Sequence, residues 1–167
     1  MISRRAITLL AGFSLVLLMS TTALAADNQL YGTWRLVSFT RTFVATGETV
    51  DIFGKSPRGI LITGQNGHLQ LLIVGDKRPK VSDLTKLTDQ ERAELFKTMI
   101  AYSGTYTFDG KTLKLRVDIS WNENWNGTEQ VRFVKLEGKR LTLNTIPAPY
   151  FADGEIVTTV ATWERIK

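Results

Sequence analysis

The chain has 167 residues, 43% hydrophobic and 22% charged, with one histidine and no cysteine. This is globular composition with enough chain for one sizeable core, which excludes disordered, collagen-like and disulfide-stapled classes. The missing thiol also removes thiol catalysis, cysteine-ligated zinc, cysteine-held iron–sulfur clusters and a cysteine-linked lipid anchor.

Residues 1–25 read as a targeting segment. Arg4 and Arg5 form a positive start, Ala6 to Met19 is mostly apolar, and Ala23-Leu24-Ala25 is a small-residue cleavage site. That is the layout of a secretory signal peptide, and its apolar run is too short to span a bilayer comfortably. The expected organisation is a leader over 1–25 and one domain over 26–167, released into the periplasm or beyond. Ser3-Arg4-Arg5-Ala6-Ile7 leaves general secretory and twin-arginine export both open. The leader holds two of the 21 basic residues and no acid, leaving 19 against 16 acidic, a net charge of +3. No second apolar stretch reaches spanning length, so no integral membrane segment is expected after cleavage.

Beyond the leader, short runs rich in Val, Ile, Leu, Thr, Tyr and Phe alternate with glycine turns. They predict strands near 33–43, 48–53, 59–64, 68–74, 102–108, 111–120, 129–136, 140–145 and 156–165. Such spacing implies a meander that closes as a barrel or packs as a sandwich. One basic cluster, Lys77, Arg78 and Lys80, is broken by Pro79 and has no interleaved aromatics. It reads as a solvated loop and not as a nucleic-acid site. Thr88-Asp89-Gln90-Glu91 is a capping box, and Leu95, Phe96, Met99 and Ile100 follow at helical spacing, predicting a helix near 89–100.

Turn length fixes which side chains share a face. A two-residue turn at Asn66-Gly67 would oppose Ile62 to Leu71 and set Ile60, Ile62, Leu69, Leu71 and Ile73 on one face. A two-residue turn at Asp109-Gly110 would oppose Tyr106 to Leu113 and Tyr102 to Val117. Tyr102, Gly104, Tyr106 and Phe108 then share a face with Leu113, Leu115, Val117 and Ile119. Around Glu137-Gly138, a two- or four-residue turn puts Val134 and Leu136 with Leu141 and Leu143, and the same alternation carries Gln130 and Arg132 inward. A three-residue turn would reverse that assignment. An inward arginine needs a partner, because a buried unpaired charge is costly.

Catalytic signals are few. His68 falls at a turn on the outer face, which suits an exposed residue better than a general base. One histidine without cysteine makes a transition-metal site unexpected. No nucleophile elbow, phosphate loop or dinucleotide fingerprint is present. Asn122, Asn124, Asn126 and Gly127 resemble half a calcium loop, but Phe133 stands where a bidentate glutamate is required. Asn126-Gly127-Thr128 is also a formal glycosylation sequon. No cofactor is expected, and no catalytic or metal-ligating residue is assigned.

Several stretches carry a resemblance. Gly32-Thr33-Trp34-Arg35-Leu36-Val37-Ser38 resembles the Gly-x-Trp start of lipocalins and fatty-acid-binding proteins. Ala101-Tyr102-Ser103-Gly104-Thr105-Tyr106, the run from Trp121 to Arg132, and the closing Trp163-Glu164-Arg165 are similar to the bacterial and fungal lipocalin-like domain family. The likeness runs from about residue 30 to the end. It implies an all-β, up-and-down antiparallel barrel of about eight to nine strands with one short helix and a ligand cavity. It further implies that Trp34 is covered by Arg165 as a structural cation–π pair. Relatives tend to carry His where Arg116 stands, which weakens any transfer of histidine chemistry to this chain.

Within such a barrel, Arg132, Gln130, Tyr102 and Tyr106 are the polar groups expected in an otherwise apolar pocket, with Trp121 and Trp125 near its mouth. Arginine suits an anionic head, since its fork binds two oxygens at once. The expected partner is a small hydrophobic or amphiphilic molecule. Two other readings stand beside a binding protein: a cofactor-independent isomerase or cyclase working in the cavity, and a structural barrel filled by its own side chains.

Overall fold

The computed structural model describes residues 29–81 and 83–166. The leader and its cleavage site after Ala25 lie outside the described residues. Ten strands form one antiparallel sheet: β1 (Gly32–Phe43), β2 (Thr49–Asp51), β3 (Arg58–Thr63), β4 (His68–Val74), β5 (Met99–Phe108), β6 (Thr112–Ser120), β7 (Glu129–Glu137), β8 (Arg140–Asn144), β9 (Ala148–Pro149) and β10 (Ile156–Arg165). The order β1-β3-β4-β5-β6-β7-β8-β10 closes through the pairing of β1 with β10, giving an eight-stranded barrel. Closure leaves no free edge in the wall. The short strands β2 and β9 lie outside it, added to β1 and β10 at one end.

β1 is long enough to serve both ends because it contains a bulge. Its register with β10 slips between Leu36 and Ser38, which inserts Val37 and moves the inward alternation from Trp34 and Leu36 to Phe39. The lower part, from Gly32 to Arg35, then pairs with β3, and Thr40 to Thr42 pair with β2. The expected strand at 48–53 therefore shrinks to three residues outside the barrel.

Two hairpins depart from the expected turns. In β3–β4, Gly64 N–H donates to His68 C=O at 2.8 Å, so Gln65, Asn66 and Gly67 form a three-residue loop. Gly67 takes the left-handed backbone that this loop needs, at φ +75°. Leu61 then opposes Leu71 and points inward, while Ile60 and Ile62 turn outward, Ile62 being 41% exposed. Leu69, Leu71 and Ile73 face the core as expected.

In β5–β6 the turn residues are Gly110 and Lys111, closed by Asp109 N–H to Thr112 C=O at 3.2 Å. The Asp109 carboxylate accepts from Lys111 N–H at 2.9 Å and Thr112 N–H at 2.7 Å. Moving the turn on by one residue shifts each partner by two, so the faces survive: Phe108 opposes Leu113 and Tyr106 opposes Leu115. A second bulge, between Ser103 and Gly104, then reverses Ile119, which is 66% exposed instead of inward. Gly104 permits it: a Cβ there would lie 1.9 Å from the Arg116 carbonyl oxygen. The β7–β8 hairpin turns on Gly138 and Lys139 and sets Leu136 against Leu141 and Val134 against Leu143, as expected.

The helix α1 (Asp89–Lys97) starts on the expected box, with Thr88 Oγ1 accepting from Glu91 N–H and the Glu91 carboxylate accepting from Thr88 N–H. It stops three residues early. Met99 and Ile100 open β5, where Ile100 opposes Ile73 and is buried. Arg78 helps to end the helix, donating to the Thr98 carbonyl at 3.2 Å and the Thr98 hydroxyl at 3.0 Å. It is half-buried, unlike its exposed neighbours Lys77 and Lys80.

Candidate functional site

The barrel has a packed end and an open end. Around the hairpins at 64–67, 109–112 and 137–140, Trp34, Leu61, Leu115, Val117, Leu141 and Trp163 fill the interior and are almost wholly buried. Arg165 closes this end as the resemblance implied. Its guanidinium lies 4.0 Å from the Trp34 ring centre and donates to the carbonyls of Tyr31 and Gln29. The Trp34 indole N–H donates to Leu30 C=O at 3.0 Å. Tyr106 belongs here too: it is buried, with its hydroxyl 3.4 Å from Gly64 C=O, and it does not border the cavity described next.

Toward the other end a cavity of about 610 Å³ enters the barrel. Leu71, Ile73, Ile100, Leu143 and Ala161 make its apolar wall. Phe39 borders it from β1, and Tyr102, Gln130 and Arg132 supply polar groups from β5 and β7. The strands put them there simply: Arg132 opposes Leu113 and Gln130 opposes Leu115, both core residues, so alternation directs all four inward.

Arg132 is the electrostatic centre. It donates to Gln130 Oε1 at 2.5 Å and to Val131 C=O at 2.8 Å. Among the described residues it forms no ion pair; Glu129, an acid bordering the cavity, is exposed and unpaired with it. Burial raises the Tyr102 hydroxyl above the usual tyrosine range, and the charge and hydrogen bonding of Arg132 offset part of that rise. Tyr102 is therefore a protonated donor beside a permanent cation.

The mouth is aromatic. Trp125 borders the cavity and meets Tyr102 edge-on at 5.9 Å. Trp121 does not border it. It sits behind, 4.7 Å from Trp125 and 5.2 Å from Phe151, with its indole N–H buried and unpartnered. Phe96 of α1, 54% exposed, reaches Trp121 at 6.2 Å.

Tyr150 and Phe151, on the β9–β10 hairpin, complete the rim and carried no periodic signal in the sequence. The only hint is an aromatic pair between Pro149 and Gly154. Arg41 ties that hairpin to β1, bonding the Asp153 carboxylate at 2.6 Å while lying 4.5 Å from the Tyr150 ring centre. The hydrogen bond from Arg41 holds Asp153 below the usual carboxylate range, and burial pushes Tyr150 well above the tyrosine range.

Other candidates lie apart. His68 is exposed at the start of β4, opposite Thr105. Asn122 caps a 3₁₀ turn at Glu123–Trp125, accepting from Asn124 N–H at 3.2 Å. Among the described residues no group of three or more His, Asp or Glu side chains is gathered as metal ligands would be. No helix among them is long and apolar enough to cross a membrane.

A closed eight-stranded meander, packed at one end and hollow at the other, defines a calycin-type β-barrel able to hold a small molecule. The chain belongs to the lipocalin-like domain family, which matches residues 31–166. No curated protein matches it.

Proposed function

We propose that the protein is an exported binding protein that holds a small hydrophobic or amphiphilic molecule in the upper barrel, with an anionic or strongly polar head on Arg132. One observation carries this reading: a guanidinium borders a largely apolar cavity without a carboxylate partner among the described residues. Its fork has five N–H donors, so the bonds to Gln130 and Val131 leave capacity for a guest. A half-buried guanidinium of this kind is stabilised by an anion with matching acceptors.

The cavity volume falls in the range of about 300–1,000 Å³ that small-molecule sites occupy, which disfavours a barrel filled by its own side chains. Tyr102, kept protonated by burial, offers a hydrogen bond to the same polar head. Native mass spectrometry of protein taken from its own host tests the reading. The expected result is a small-molecule adduct that is lost on denaturation. Protein that carries no adduct and takes up no anionic amphiphile in titration would overturn it.

A further inference from the structure

The apolar part of the site differs from a plain hydrocarbon pocket in how its rings are set. Trp125 and Phe151 both border the cavity and stand at 89° to one another with centres 6.2 Å apart. Two perpendicular rings make a corner. A flat guest offset-stacked on one face presents its edge to the other, which are the two arrangements that aromatic quadrupoles favour.

The corner is also braced from behind. Trp121 is wedged at 84° to Trp125 and 85° to Phe151, and the ion pair of Arg41 with Asp153 anchors the hairpin that carries Phe151. Each ring is packed against its neighbours, and a rigid flat guest loses little internal freedom on entering. A flexible chain must give up rotamers to fill the same volume.

The corner and the cation lie close together. Tyr102 stands between them, meeting the Trp125 ring at 5.9 Å and lining the same cavity as Arg132, whose charge acts on its hydroxyl. One side chain therefore spans the gap between the charge and the stacking surface. A guest using both must carry its acid on a ring system or a short spacer from one.

We propose that the site selects planar aromatic acids, with a fused or extended ring system in the Trp125–Phe151 corner and the acid on Arg132. This rests on the Arg132-anchored reading above and narrows its ligand class. Naphthoate and undecanoate share a carboxylate and a carbon number but differ in shape, so their calorimetric titration into the purified protein isolates the effect of the rings. Naphthoate is expected to bind about tenfold more tightly. Trp125→Leu and Phe151→Leu should each erase that preference, and Arg132→Met should weaken both ligands. Cooperative thermal unfolding qualifies each variant, and either ring variant alone suffices if the other does not fold. Equal or tighter binding of undecanoate, or a preference that survives loss of the rings, overturns the aromatic class while leaving the Arg132 reading intact. If neither acid binds, both fall.

Discussion

Trp34 and Arg165 face each other across the β1–β10 seam as register partners, with the guanidinium 4.0 Å from the ring centre. The contact joins the first barrel strand to the last at the packed end, where Trp34 is fully buried. Trp34→Ala is expected to cost about 3–5 kcal/mol, the range for emptying a buried aromatic site. Denaturant unfolding measures it. Arg165→Met keeps much of the covering stem and should cost less, since a cation–π contact contributes about 0.5–2 kcal/mol.

Arg132→Met should leave the fold standing and weaken anionic amphiphiles. A charge-assisted hydrogen bond contributes roughly 1.5–3 kcal/mol, or about ten- to a hundredfold in affinity. Displacement of a fluorescent fatty acid analogue reads the change. Wild-type affinity, or outright unfolding, would make Arg132 a packing element instead.

At Gly104 the backbone itself is the obstacle. A methyl group there meets the Arg116 carbonyl oxygen at 1.9 Å, and main chain cannot swing aside as a flexible side chain can. Gly104→Ala should cost at least about 1–3 kcal/mol, as overpacking does, by forcing the β5–β6 bulge apart. Gly138→Ala is the useful contrast, because that position has open space around it and strain only from its φ of +58°.

The Arg41–Asp153 pair gives the hairpin anchor a defined pH response. Asp153 has its carboxyl held below the ordinary value, so the contribution is present above the unfolded pKa of about 3.9 and is lost as pH falls through the lower folded value. Tryptophan emission should report the release, because Phe151 packs on Trp121 and Trp125. Asp153→Asn should remove that acid step and leave a spectrum insensitive to it.

Intact mass of the exported protein is expected to begin at Ala26. A mature species that keeps Arg4 and Arg5 would contradict cleavage after Ala25.

Much of the site was legible because alternation is a strong constraint. The Gly138-Lys139 turn fixes Val134 and Leu136 against Leu143 and Leu141, and the inward position of Arg132 follows from counting along the same strand. What alternation gives is side, not depth. Tyr102 and Tyr106 share a face, yet four residues of strand separate them by roughly 13 Å, which places one at the cavity and the other in the packed end. Asn66-Gly67 fits a two-residue turn and a three-residue loop equally well in composition, so the inward positions of Leu61 and Thr63 were not readable. Ile119 was lost to a bulge, which Gly104 permits by leaving room for the Arg116 carbonyl. The Tyr150–Phe151 hairpin is tied to Arg41 of β1, more than a hundred residues earlier in the chain, and no local pattern records that.

Because one end of the barrel is solid, arrival and departure must use the same opening. On the proposed reading, a guest held by Arg132 goes in head first and comes out tail first, so the end nearest the opening is the one held by the aromatic rim and not by the cation. Whatever meets the guest at the opening would meet that end first, while the acid is still held. Handover and recognition would then fall to different halves of the same small molecule.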